Sequence, residues 1–182
     1  MSLDAAVCAE GIAPTQKDPR GQIPEIIQVV EFLLSKEHYA INLFDVREVV
    51  EYTTITRLPD TPPFIRGIID LRGEITTIVN LGQRLGVSPA GSPSELEGGR
   101  IIVLDEKITG TKTGILVDDV LSVSTFSQSD IDCSSVGVYN DDEAITGIIR
   151  KKVRIHDREI SELLIWICIS RVLNDCRQIH GK

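Results

Sequence analysis

Phe64-Ile65-Arg66-Gly67-Ile68-Ile69-Asp70-Leu71-Arg72-Gly73-Glu74-Ile75, running on to Ile78-Val79-Asn80-Leu81, is the stretch on which the reading of this chain turns. Its apolar residues are mostly β-branched, which suits a pleated, half-buried surface better than a helix. Gly67 and Gly73 punctuate the two runs where a Cβ would be least welcome. The pattern predicts a strand, a tight turn carrying Arg72, and a second strand.

Working outward, Gly-Ile-Ile returns at Gly147-Ile148-Ile149. Asp45-Val46 with Val49 overlays Asp119-Val120 with Val123. Ile65-Arg66-Gly67-Ile68-Ile69 overlays Ile145-Thr146-Gly147-Ile148-Ile149. Val79-Asn80-Leu81 with Leu85 overlays Ile167-Cys168-Ile169 with Leu173. The order is kept and the offset grows slowly, as loop insertions would produce. Two similar β-units in tandem are expected, with duplicated halves at about 40–90 and 100–175. Units this small share a core or close into barrels to avoid open edges.

Other elements follow from the same patterning. Residues 1–23 are small, polar and rich in turn formers, and read as a flexible tail. Ile26 to Leu34 and Tyr39 to Leu43 read as a hairpin around Ser35-Lys36-Glu37-His38, and Val46 to Tyr52 as a further strand. Val87 to Gly99 is a connector. Strands are expected at Ile101–Leu104, Gly114–Val117 and Val120–Val123, with a turn over Lys107–Lys112. Ser127 to Asp142 reads as an acidic loop. Ile145–Ile155 and Leu163–Ile169 flank a polar hairpin at His156-Asp157-Arg158-Glu159. Val172, Leu173, Cys176 and Ile179 recur at helical steps, marking a C-terminal helix.

Composition narrows the function. The 182 residues are 42% hydrophobic but only 4% aromatic, so the core must be built from Ile, Val and Leu. A net charge of -8 argues against a nucleic-acid surface. No apolar run is long enough to span a bilayer as a helix, and the N-terminus lacks the basic start of a signal peptide, so a cytoplasmic protein without direct membrane insertion is expected. Cys8, Cys133, Cys168 and Cys176 lack metal-knuckle or redox spacing, and His38, His156 and His180 are scattered. Asp118, Asp119, Asp130, Asp132, Asp141, Asp142 and Glu143 do not follow a calcium-loop pattern and read as a solvated acidic surface. Gly110-Thr111-Lys112-Thr113-Gly114 lacks the spacing of a phosphate loop. No metal, cofactor or catalytic set is expected. A small hydrolase using the loop acids is the competing enzyme reading.

Three blocks resemble the CheW family of chemotaxis coupling proteins, over roughly residues 25–176. Ile41-Asn42-Leu43-Phe44-Asp45-Val46-Arg47-Glu48-Val49 is similar to the family's strand leading into Val-x-Glu-Ile/Val. Phe64 to Gly73 is close to Phe-Ile-x-Gly-Val-x-Asn-Leu-Arg-Gly. Gly114-Ile115-Leu116-Val117-Asp118-Asp119-Val120 matches Gly-x-x-Val-Asp-x-Val. Asp70 stands where Asn is usual and Thr77 where Pro is usual, and the Gly147–Trp166 region is longer and more charged than the family norm.

The resemblance implies an all-β fold of two tandem five-stranded SH3-like barrels over 24–182, with a C-terminal helix. It implies a non-enzymatic scaffold linking the cytoplasmic tips of chemoreceptors to the regulatory domain of the histidine kinase CheA, in arrays next to the inner face of the membrane. A regulatory module of a kinase, or a receiver-linked coupling protein, is the alternative with the same fold. The implied receptor-binding residues are Val46, Glu48, Gly67, Ile68 and Arg72, and the kinase-facing candidates are Tyr39, Leu43 and Val50.

Each of these residues also has a purely structural reading. Arg72 offers a rigid fork of donors to a receptor carboxylate, or an internal ion pair with Glu48; the two are compatible, because a pair can orient the arginine. Alternation along a strand sends Val46, Glu48 and Val50 to one face, where an acid between two valines suits either a helix-binding groove or an ordinary barrel edge. Gly67 and Gly73 are expected to permit the turns that present Arg72. Core packing accounts for at least half of the kinase-facing set.

Overall fold

The computed structural model describes residues 25–87, 98–133, 144–156 and 158–174. The N-terminal tail, most of the connector, the acids Asp141, Asp142 and Glu143, and Cys176 and Ile179 of the expected helix lie outside the described residues. The strands are β1 (Ile26–Leu34), β2 (Glu37–Asn42), β3 (Val46–Glu51), β4 (Ile65–Leu71), β5 (Glu74–Asn80), β6 (Arg100–Leu104), β7 (Thr113–Val117), β8 (Asp119–Ser127), β9 (Ile131–Asp132), β10 (Ile145–Ile155) and β11 (Arg158–Ile167). Single-turn helices follow β5, β6 and β11: α1 (Leu81–Arg84), α2 (Glu106–Thr109) and α3 (Ile169–Val172). No helix among the described residues is long and apolar enough to cross a membrane.

Local sequence accounts for the turns. The β1–β2 hairpin closes on Ser35-Lys36 alone, both with positive φ (51° and 73°), so β2 starts at Glu37, two residues before its expected start. The expected turn at Lys107–Lys112 holds α2. The Asp105 side chain accepts the Lys107 N–H, and Gly110, left-handed at φ 75°, ends the helix.

Two sheets form. One has the order β3-β6-β7-β5-β4, and the other β8-β1-β2-β11-β10-β9. One hairpin in each sheet has the same pairing geometry. β4–β5 and β10–β11 are antiparallel hairpins with the same register break, between Ile65 and Gly67 in one and Ile145 and Gly147 in the other. Each hairpin's second strand then pairs in parallel with an inner strand, β5 with β7 and β11 with β2. The Asn80 N–H donates to Phe64 O as the Cys168 N–H donates to Ala144 O.

The expected division into halves at 40–90 and 100–175 does not separate the sheets. β6 and β7, beyond the connector, complete the first sheet, and β1 and β2, from the start of the fold, complete the second. The physical reason is edge satisfaction. Three strands from either half leave open ladders, and two strands from elsewhere in the chain fill them. The second sheet also gains the two-residue β9, a sixth strand.

Three apolar clusters explain why β1, β2, β6 and β7 read as near-continuous apolar runs. Ile101 and Val103 face into the first sheet's core with Ile69, Ile78 and Leu116. Ile27, Val29 and Ala40 face into the second with Phe126, Ile149, Leu164 and Trp166. The alternate residues Ile102, Leu104, Val30, Phe32, Leu34, Tyr39 and Ile41 form a third core between the sheets, joined by Leu81, Ile169, Val172 and Leu173. These strands are covered on both faces over most of their length, so buried polar side chains on them are few: Asn42, Thr113 and, alone in carrying a charge, Glu31. Fully buried on β1, it takes an ion pair from Lys151 of β10 at 2.6 Å.

Candidate functional site: the Arg72 turn and the β3 seam

The β4–β5 hairpin turns on Arg72-Gly73, with φ 56° and 84°. Two successive left-handed residues make the type I′ geometry that matches strand twist. Asp70 locks the turn, its Oδ1 accepting the Gly73 N–H at 2.6 Å. An asparagine carbonyl makes the same bond, so the departure from the usual Asn leaves the turn intact. Thr77, where Pro is usual, donates its N–H to Lys112 O at 2.9 Å and so ties β5 to the chain entering β7. Proline has no such donor.

Arg72 and Glu48 meet. Arg72 Nη2 lies 2.9 Å from Glu48 Oε2, and Nη1 3.5 Å from Oε1. The arginine side chain is 76% exposed and the glutamate 24%. The pair links the hairpin tip to β3, so it bridges the seam between the two edge strands of the first sheet. A guanidinium has five N–H donors, so three remain for another group.

Gly67 sits where no side chain fits. Its φ is +143°, and a Cβ there would lie 2.1 Å from Thr56 O. The close approach is a bridge in which Ile68 and Thr56 exchange both backbone hydrogen bonds at 2.8 Å. Ile68 is half-buried beside it.

The alternation of β3 is as expected, with Val46, Glu48 and Val50 the less exposed set. A register break between Val46 and Glu48 divides them, however. Val46 packs on the core between the sheets, and Val50 on the core inside the first sheet. The valines therefore do not line one groove.

Among the kinase-facing candidates, Tyr39 is buried and stacks on Phe32 with ring centroids 5.9 Å apart. Burial, with Glu37 nearby, pushes its hydroxyl pKa up. It is a core residue, because β2 is covered on both faces. Leu43 is partly buried against the inter-sheet core. Its neighbour Phe44 is 46% exposed, while Phe32 and Phe126 are buried and Phe64 is half-buried. Ile75, paired with Asp70 behind the Arg72 turn, is 60% exposed, whereas Thr76 points inward. Sequence reasoning missed both Phe44 and Ile75. An isoleucine turned out beside a threonine turned in is a polarity inversion, and it shows only once the register is known. Among the described residues no group of three or more His, Cys, Asp or Glu side chains could hold a metal ion.

A family model described as the CheW-like domain matches residues 28–175. The chain belongs to the CheW-like domain family. Among CheW relatives, the chemotaxis protein CheW of Treponema pallidum is 30% identical over 152 residues, 82% of this chain and 84% of that protein. The chemotaxis protein CheW of Bacillus subtilis is 29% identical over 129 residues, 70% of this chain and 80% of that one. The solved scaffolding protein TtCheW from Thermoanaerobacter tengcongensis is 33% identical, with a TM-score of 0.59, over 78% of this chain and 88% of that one. The two-sheet, mostly β architecture is thus the CheW fold, and the Arg72 turn falls within the matched region of this CheW-like chain.

Proposed function

We propose that this chain is a chemotaxis scaffold that couples the cytoplasmic tips of chemoreceptors to the regulatory domain of CheA, without catalysing a reaction of its own. The reading is supported by the family, by relatives that are chemotaxis and scaffolding proteins, and by one geometric observation. Arg72 is held on a rigid two-residue turn by Asp70 and Glu48, with its guanidinium largely in solvent. Such a side chain loses little further freedom when a partner carboxylate or carbonyl arrives, and the loss of that freedom is a main cost of binding.

In this reading Arg72 and Glu48 form the centre of the receptor contact. Gly67 and Ile68 act indirectly by fixing β4 against the Thr56 segment. Val46 supports β3 from the inter-sheet core. The kinase-facing patch centres on Leu43 and its exposed neighbour Phe44, with Val50 supporting β3 and Tyr39 supporting β2 from within. The protein then works at receptor arrays on the inner face of the membrane.

The test is a pull-down of a receptor tip fragment and, separately, of a CheA regulatory domain. Arg72→Ala is expected to lose the receptor fragment and keep the kinase domain, and Phe44→Ala the reverse. Full receptor binding by a folded Arg72→Ala protein overturns the site.

A further inference from the structure

The two hairpins that share a register break differ in length. Aligned on their shared register break, Leu71 corresponds to Lys151 and Glu74 to Glu162. The β4–β5 ladder ends at that pair. The β10–β11 ladder goes on through Lys152↔Ser161, Val153↔Ile160, Arg154↔Glu159 and Ile155↔Arg158. Four more pairs at strand rise make an arm of about 13 Å.

Among the described residues the arm has no strand paired to either edge. β9 pairs with β10 only at Ile148 and Ile149, and β2 pairs with β11 only at Ile165 and Trp166. Two strands alone are marginal in water, and open edges invite another chain.

The side chains select that chain. Lys152 and Arg154 lie on one face of β10, both exposed, with the half-buried Val153 between them on the other. Lys152 pairs with Glu159 at 3.3 Å, and Asp130 is the other acid near it; Arg154 makes no ion pair among the described residues. A second copy adding antiparallel to this edge would set Lys152 and Arg154 against the same cations, which like-charge repulsion disfavours.

We propose that the outer edge of β10 at Lys152–Ile155 is a docking site for an extended acidic segment of another protein, added as a strand with an acid–apolar–acid alternation. The acids face Lys152 and Arg154, and the apolar residue meets Val153. This surface is separate from the Arg72 turn and does not depend on the receptor reading.

The test is amide NMR of the full chain titrated with a short alternating glutamate–valine peptide, using an alternating lysine–valine peptide as control. The amides of residues 152–155 are expected to shift with the acidic peptide alone. Lys152→Glu combined with Arg154→Glu is expected to weaken binding about tenfold, with cross-strand contacts between Val153 and Ile160 retained as proof that the arm still folds. Arg154→Pro, which removes a backbone donor that faces away from β11, is the second variant and is expected to lose binding. The proposal is overturned by shifts confined to other residues, by equal response to both peptides, by a concentration-dependent dimer through β10, or by full binding in the doubly reversed protein. Capture of anionic lipid vesicles by the same amides, with no response to the peptide, overturns it as well.

Discussion

Arg72 Nη2 stands 2.9 Å from Glu48 Oε2 and joins the tip of the β4–β5 hairpin to β3. With 76% of the arginine side chain in solvent, the pair adds little to stability; exposed pairs contribute up to about 1 kcal/mol. Arg72→Ala is expected to shift the unfolding free energy by less than about 1 kcal/mol in urea melts. A loss of receptor binding by this variant is then a loss of recognition and not of fold.

Gly67 is the opposite case. A Cβ at this position would meet Thr56 O at 2.1 Å, on a backbone φ that other residues rarely adopt. Gly67→Ala must push the Thr56 segment away and break two 2.8 Å hydrogen bonds. A destabilisation of about 3 kcal/mol or more is expected, well beyond that of a typical substitution. Gly73→Ala, with open space around its Cβ, strains only the backbone and is expected to cost less. Thermal melts of the two variants side by side check the ranking.

Asp45 connects β2 to β3, only 4% exposed, with Oδ1 unpartnered. Burial, then the neighbouring Asp105, pushes its carboxyl pKa up to about 7 from 3.8. The folded state therefore keeps a proton that the unfolded chain releases above about pH 4. Stability from this group is highest below pH 4, falls as pH rises through the window, and levels off above about 7; the total loss is at most about 4 kcal/mol. Asp45→Asn is expected to remove this slope and to make the protein more stable at pH 8 while changing it little at pH 4. Denaturant melts at both values test it.

Glu31 and Lys151 occupy the positions that Val103 and Leu71 hold in the other sheet, as the matching register breaks show. Lys151→Ala leaves a buried carboxylate without its cation and is expected to cost about 3–5 kcal/mol. Glu31→Val with Lys151→Leu copies the apolar pair of the first sheet and is expected to recover that loss or exceed the parent. A double-mutant cycle in urea measures it. Additive losses in the double variant contradict the equivalence of the two positions.

Much of the fold could be read from local pattern. β-branched runs mark the strands, Arg72-Gly73 marks its turn, and the second Gly-Ile-Ile marks a hairpin with the same register break. Glu48 as the partner of Arg72 was also within reach, because an arginine on a turn and an acid among valines on a nearby strand are complementary charges. These properties depend on neighbours along the chain, whose spacing is written in the residues. What could not be read required contacts between distant segments. Tyr39 looks like any amphipathic strand residue until β2 is seen to be covered on both faces. Val46 and Val50 share one alternation until a single extra residue sends them to different cores. Phe44, Ile75 and the arm at Lys152–Ile155, unpaired at its edges among the described residues, depend on which strands lie alongside. Sheet membership itself was hidden, since β1 and β2 complete the sheet of β8–β11 across more than half the chain. Burial, and with it the pKa of Asp45 and the pairing of Glu31, arises from three-dimensional packing, where residues far apart in order exclude water from one another.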